Sequence, residues 1–110
     1  MATSYKILGQ LSASATTEQT LYTVPSLTQS VVSTIVVANR SASSKTYRLA
    51  IKPTSATSLA SEHYIAYDII IAANDSTALT LGITLAAGNS ISSYASSADL
   101  TFTAFGSEIT

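Results

Sequence analysis

The stretch SEHYIAYD, residues 61–68, contains the only histidine of the chain, with Glu62 beside it and Asp68 five residues further on. A histidine between carboxylates could act as a general base or as a metal ligand. The segment 63–71 has the composition of a β-strand, however, and successive side chains of a strand point to opposite faces. Both carboxylates would then lie on the other face from His63. We interpret His63 as a strand-end residue bonded to backbone or water, with an interface contact as the alternative.

Other reactive sites find little support in the sequence. A serine nucleophile needs a base and an orienting group, and the 19 serines share one histidine and no GxSxG turn. The absence of cysteine removes disulfides, thiolate metal ligands and a cysteine nucleophile. Asn74 and Asp75 could join Asp99 at a calcium site, although ANDS between two strands is first of all a turn. We therefore predict that the protein is not an enzyme and has no catalytic, cofactor or metal site.

The six tyrosines could instead form a platform for a sugar, because aromatic rings stack on sugar faces. Tryptophan is absent, and alternation along the strand predicts that Tyr64 and Tyr67 point to opposite faces. Packing in the core and between strands is the expected role of most of these rings. A carbohydrate-binding or host-adhesion module is kept as the alternative function.

The charge content limits the possible partners. Only 10% of residues are charged, with five Lys and Arg against six Asp and Glu, so no basic excess suggests nucleic acid. The beginning of the chain, MATSYKILGQ, lacks the pattern of a signal peptide, and no apolar run is long enough to span a membrane. Few charges separate neighbouring copies, which favours self-association or docking on a larger body.

Alternation of apolar and polar residues predicts an all-β fold: a single antiparallel β-sandwich over residues 1–110, of the jelly-roll or immunoglobulin-like type, with about eight short strands. The segments 30–40 and 45–52, joined by a turn-rich loop, predict a hairpin. Gly82 is expected at a bend or bulge of the strand 77–85. The predicted strands are 5–8, 20–24, 30–40, 45–52, 63–71, 77–85, 90–95 and 100–105, and the predicted core contains Ile35, Leu49, Ile51, Leu79, Leu81, Ile83 and Phe102.

Two groups of residues are candidates for an interface. Four of the five basic residues fall on the predicted hairpin: Arg40, Lys45, Arg48 and Lys52. They indicate a charged contact with another copy or an acidic surface, or simply a solvated face that protects a sheet edge. In the last strand, Phe105 has the wrong parity for the core, so it either packs across a bulge near Gly106 or joins Ile109 in an exposed apolar patch.

The segments LYTVPSLTQSVVSTIVVANR, HYIAYDIIIAANDSTALTLGITLAAGNSI and DLTFTAFGSEIT resemble small virion structural proteins of tailed bacteriophages. The resemblance covers most of the chain. It implies a β-sandwich present in many copies per particle, as capsid decoration or cement or as part of a fibre or baseplate. Its implied partners are copies of itself, a trimer above all, and other virion proteins such as the major capsid or tail proteins, with a host glycan as a further possibility. The implied location is the virion, after synthesis in the host cytoplasm.

Overall fold

A computed structural model describes residues 2–110. Eight strands account for most of these residues, and the only helical element is a single 3-10 turn at Ser61–His63. Each of the eight predicted strands is present, so the prediction of an all-β fold is confirmed, although the first and last strands are longer than expected. The strands are β1 (Thr3–Ser12), β2 (Gln19–Thr23), β3 (Gln29–Asn39), β4 (Lys45–Lys52), β5 (Tyr64–Ile71), β6 (Ser76–Leu85), β7 (Ser90–Ala95) and β8 (Leu100–Ile109).

The strands form two four-stranded antiparallel sheets that pack face to face. Sheet A has the order β1-β8-β3-β6 and sheet B the order β2-β7-β4-β5. Only β4 and β5 are neighbours both in sequence and in a sheet, and every other connection crosses from one sheet to the other. This arrangement of crossing connections is the jelly roll, one of the two sandwich types that the sequence predicts.

The predicted hairpin of β3 and β4 is wrong, because these two strands lie in different sheets. β3 already has β8 and β6 as its neighbours, so the following loop must cross the end of the sandwich to reach sheet B. Asn39 holds this crossing in place. Its buried amide nitrogen donates to the carbonyls of Ser43, Ile71 and Ala72, and its oxygen accepts from the N–H of Ser41.

The inner faces of the two sheets form the core. Tyr47 of sheet B meets Phe102 of sheet A edge to face, with ring centres 6.4 Å apart. The predicted core residues Ile35, Leu49 and Phe102 are fully buried, while three others are partly buried and pack against them. Those three are Ile51, Leu79 and Ile83.

Leu81 is the exception among the predicted core residues, since it is 51% exposed. Val32 pairs with Ile83, but the next pair is Thr34 with Thr80, so the register shifts at Leu81 and Gly82. Gly82 has φ +62°, a left-handed conformation that suits glycine. The expected bulge at Gly82 is therefore confirmed, and the same bulge turns Leu81 away from the core.

Regular alternation along β8 decides the orientation of Phe105, although bulges lie beside it. The register of β8 shifts against both neighbours next to Phe105, because Leu8 in β1 and Ser33 in β3 are each an extra residue. Phe102 and Ala104 point into the core, whereas Phe105 lies on the outer face of sheet A and is 38% exposed. Of the two alternatives foreseen for Phe105, the surface position is the one found, because the bulges lie in the neighbouring strands and do not turn the ring into the core.

Candidate assembly surfaces

The sole histidine has a local structural role. The N–H of Ala60 donates to Nδ1 of His63 at 2.9 Å, and the N–H of His63 donates to the Ala60 carbonyl at 3.1 Å. This pair of bonds closes the 3-10 turn that leads into β5. The interpretation of His63 as a strand-end residue bonded to backbone is confirmed, although it lies on the turn rather than in the strand. Nδ1, a nitrogen that a general base could use, is occupied by this bond.

The acidic residues near the β3 end also make local contacts. Asp75 accepts a hydrogen bond from the N–H of Ser76, and Asp99 accepts one from the hydroxyl of Ser97. Within residues 2–110, no three histidine or carboxylate side chains come together as a ligand set for a metal ion. Asp75 and Asp99 therefore act as turn residues in this structure.

The basic residues do not form one surface. β4 is an inner strand of sheet B, with β7 and β5 on either side, so the idea that its charges protect a sheet edge is wrong. Lys45 and Lys52 stand at opposite ends of this strand. Arg40 lies in the β3–β4 loop and donates to the Ala98 carbonyl at 3.3 Å. Of the predicted candidates, only Arg48 is held in a defined cluster.

Arg48 lies between two aromatic rings on the outer face of sheet B. Its guanidinium carbon is 4.2 Å from the ring centre of Tyr67 and 4.4 Å from that of Tyr94. Its Nε donates to Asp68 at 2.6 Å, and this hydrogen bond raises the pKa of Arg48. Cation–π contacts and an ion pair thus hold Arg48 in place.

Tyr64 joins the same cluster, which shows that the prediction of opposite faces for Tyr64 and Tyr67 is wrong. Their ring centres are 4.9 Å apart in an edge-to-face contact. Leu49 pairs with Ala66, but Ala50 pairs with Tyr64, so Ile65 is an extra residue that reverses the parity between the two tyrosines. Tyr64, Tyr67 and Ser61 line a shallow hollow of about 440 Å³.

A second polar cluster, which the sequence did not reveal, joins the two sheets at one end of the sandwich. Glu108 forms an ion pair with Lys6 at 2.5 Å and accepts a hydrogen bond from the Tyr22 hydroxyl at 2.5 Å. The hydroxyls of Tyr22 and Ser30 lie 2.7 Å apart. Lys6 and then Tyr22 lower the pKa of Glu108, and burial, followed by the bond to Glu108, raises the pKa of Tyr22 to about 12.

The outer face of sheet A carries no charged side chain. Lys6 and Glu108 are the only charged residues in its four strands. Glu108 points inward, because it pairs with the buried Ser30 and reaches Tyr22 of sheet B. Lys6 lies on the same side, since it pairs with Gly106, two residues before Glu108. The outward side chains are threonine, serine, glutamine, alanine and larger apolar residues.

Exposed apolar side chains cluster on the part of this face formed by β1, β8 and β3. Tyr5 pairs with Ser107 and Ile7 with Phe105, so both project from the outer side of the edge strand β1. Tyr5 is 86% exposed and Ile7 is 52% exposed. With Val31 and Phe105 they line a hollow of about 590 Å³, and Lys6 also borders it. We call Tyr5, Ile7, Val31 and Phe105 the Phe105 patch, and Ile109 lies on the same face, four residues beyond Phe105.

A second exposed apolar group lies on β5, the edge strand of sheet B. It consists of Ile65, Ile69 and Ile70, each more than two fifths exposed. Bulges at Ile65 and near Asp68, whose φ is +52°, interrupt the regularity of this edge. Such irregular edges resist pairing with another strand, so β5 is poorly suited to docking by strand addition.

Comparison of the chain with protein-family models, with curated proteins and with solved structures returned no match. No helix in residues 2–110 is long enough and apolar enough to cross a membrane.

Proposed function

We propose that the protein is a non-enzymatic structural component of a tailed-phage virion, present in many copies as capsid decoration or cement or as part of a fibre or baseplate. The observation that carries this proposal is the outer face of sheet A, where the Phe105 patch covers β1, β8 and β3 among polar, uncharged side chains. An exposed apolar patch of this kind is typical of a face that becomes buried against protein. The jelly roll supports the proposal further, because it recurs in viral capsid domains.

The polar groups that form clusters in residues 2–110 are used to hold the fold together, which suits a structural role. Nδ1 of the single histidine closes a turn, and the nearby Asp68 is paired with Arg48. The Glu108 cluster has an acid, a lysine and a tyrosine in contact, but each bond in it joins strands of the sandwich. These groups stabilise the fold, and none of them faces a deep cavity.

Particles of the phage that encodes the chain provide the test. We expect the protein to sediment with purified particles through a density gradient and to be removed from them by deletion of its gene. Purified protein added back should bind the deficient particles, whereas Phe105→Asp should fold but fail to bind. Absence of the wild-type protein from purified particles would contradict the proposal.

Host-surface glycan binding is the second candidate function, favoured by the hollow between Ser61, Tyr64 and Tyr67. Tyrosine rings and hydroxyls at a shallow depression are suited to a sugar ring. Binding to immobilised glycans should then be lost in Tyr64→Ala and kept in Tyr5→Ala, which removes an exposed tyrosine from the other sheet. Equal binding by both variants, or no binding by the wild type, would count against this candidate.

A further inference from the structure

We infer that two copies of this chain associate through the outer faces of their A sheets, related by a two-fold axis, with the Phe105 patch of each copy against that of the other. This inference rests on the proposed structural function and names the first partner in assembly. The charge, the size and the shape of the outer face of sheet A support this contact.

The charge distribution of sheet A suits contact with a second copy. In a two-fold contact the same surface meets itself, so a charge near the axis would face the same charge on the other copy. In sheet A the only charged residues, Lys6 and Glu108, form an ion pair on the inner side, and Lys6 also borders the hollow of the Phe105 patch. Sheet B, in contrast, carries Lys45 and Lys52 on one strand in addition to the ion pair of Arg48 with Asp68.

The face is large enough for a stable contact. Ten-residue strands and four-stranded width give a surface of roughly 33 by 19 Å, or about 600 Å² in projection. Accessible area exceeds projected area on a face with protruding side chains, so this face approaches the about 800 Å² that one partner contributes to a typical specific interface. Two sheets that pack in this way would form a layer about 10 Å thick, as within a β-sandwich.

The shape of this face also suits contact with the same face of a second copy. Tyr5, 86% exposed, projects beside the hollow that Val31, Ser33 and Phe105 line. A projecting ring next to a hollow is self-complementary: the ring of each copy can enter the hollow of the other about a two-fold axis. An aromatic side chain seated in a pocket at the centre of an interface is a common source of binding energy.

A matched pair of substitutions tests the inference. Ile7 and Ile65 are isoleucines of similar exposure, 52% and 44%, on strands of different sheets. Sedimentation equilibrium of the purified full chain, over protein concentrations from about 1 to 100 μM, should show a dimer for the wild type. Ile7→Lys should weaken dimerisation at least about 30-fold, the change expected for a hot-spot residue, and Ile65→Lys should leave it unchanged. Both variants should keep the wild-type urea unfolding curve of the monomer.

Cross-linking gives a second, independent measurement. The natural chain has no cysteine, so a single introduced thiol is the only site of reaction. Ser107→Cys, beside Phe105 on the outer face of sheet A, should form covalent dimers with a short bis-maleimide, and Thr57→Cys, in the β4–β5 loop, should not.

Several outcomes would overturn the inference. A monomer at 100 μM, a dimer lost in Ile65→Lys but kept in Ile7→Lys, or a trimer would each contradict the two-fold contact through sheet A. Failure of the inference is separable from failure of the proposed function. A monomer that still binds deficient particles would refute the dimer and leave the virion role intact. A dimer that never enters particles would refute the virion role and leave the dimer intact.

Discussion

At the scale of single residues, the side chains that could have done chemistry are used to hold the fold. His63 fastens a turn, Arg48 is held between two rings and Asp68, and Asn39 ties the β3–β4 crossing to three carbonyls. A buried polar group is tolerated only when it is hydrogen-bonded, and Asn39 has a partner for both its nitrogen and its oxygen. The free energy of unfolding should fall strongly when a residue of this kind is replaced by one of the same shape and different hydrogen-bonding chemistry.

Asn39→Asp is the clearest such change. The substitution places a carboxylate oxygen where an amide nitrogen now donates to the carbonyls of Ser43, Ile71 and Ala72. Donors become acceptors in a buried position, and we expect unfolding free energy to fall by about 3 kcal/mol. Urea unfolding measures this loss. Asn74→Asp, an identical change at an exposed turn position, serves as the control and should alter stability by less than about 0.5 kcal/mol; equal effects would contradict the role of Asn39.

Because of Glu108, the free energy of unfolding should depend on pH. Its pKa is lowered in the folded protein, first by Lys6 and then by Tyr22, from the usual 4.5. The ionised form is favoured by folding, so this contribution is present above pH 4.5 and is lost as pH falls through the lower, folded value. Glu108→Gln should therefore be less stable than wild type at pH 7, and the gap should close below pH 4.5. Parallel stability curves for the two proteins from pH 7 to pH 3 would contradict this account.

At the scale of strands, alternation in the sequence predicted which segments are strands and failed where strand pairing is nonlocal or irregular. All eight strands were foreseen, because period-two patterns are local. The β3–β4 hairpin was wrong, since no local signal tells a strand which sheet it enters. Leu81, Tyr64 and Tyr67 were misplaced by bulges. The bulge at Ile65 reverses the parity between the two tyrosines, whereas the bulge at Gly82 turns only Leu81 outward, since Leu79 and Ile83 on either side both pack against the core.

The candidate surfaces, too, could be predicted from the sequence only where the signal is local. Phe105 could be flagged from the sequence, because its parity conflicts with that of Phe102 and a glycine follows it. The Glu108 cluster could not, since Tyr22 and Glu108 are 86 residues apart in the chain. The uncharged face of sheet A becomes visible only when four strands that are distant in sequence are placed side by side.

Substitution of Gly106 tests how closely β8 packs between its two neighbouring strands. A Cβ on Gly106 would overlap the carbonyl of Val31 in β3, which cannot move without breaking the ladder. Gly106→Ala should cost at least about 2 kcal/mol of unfolding free energy. Gly82→Ala is the control, because its Cβ would meet no atom within 4 Å and only the left-handed φ is penalised, at about 1 kcal/mol. Urea unfolding of both variants makes the comparison, and a smaller loss for Gly106→Ala would contradict the register of β8.

At the scale of the whole molecule, charge is divided between the two sides of the sandwich. Sheet B and the loops carry most of the charged residues, including the partly exposed Lys45 and Lys52 and the exposed Asp68. The two charged residues of sheet A, Lys6 and Glu108, form an ion pair on its inner side. Such a division orients the molecule: one side is suited to contact with water and the other to burial against protein.

The response to salt should show which side mediates association. Exposed charges interact over a Debye length of about 10 Å at 0.1 M salt, so a contact through Lys45 and Lys52 would weaken steeply between 0.05 and 0.5 M sodium chloride. A contact through the outer face of sheet A involves no charge, and its dissociation constant should change less than about twofold over that range. Sodium sulfate should strengthen it, because this salt favours burial of apolar surface. Sedimentation equilibrium provides the constants, and the double variant Lys45→Glu with Lys52→Glu should match wild type at both salt concentrations. A tenfold weakening of the wild-type dimer in high salt would show that the contact runs through sheet B. A changed dissociation constant in the double variant would show the same.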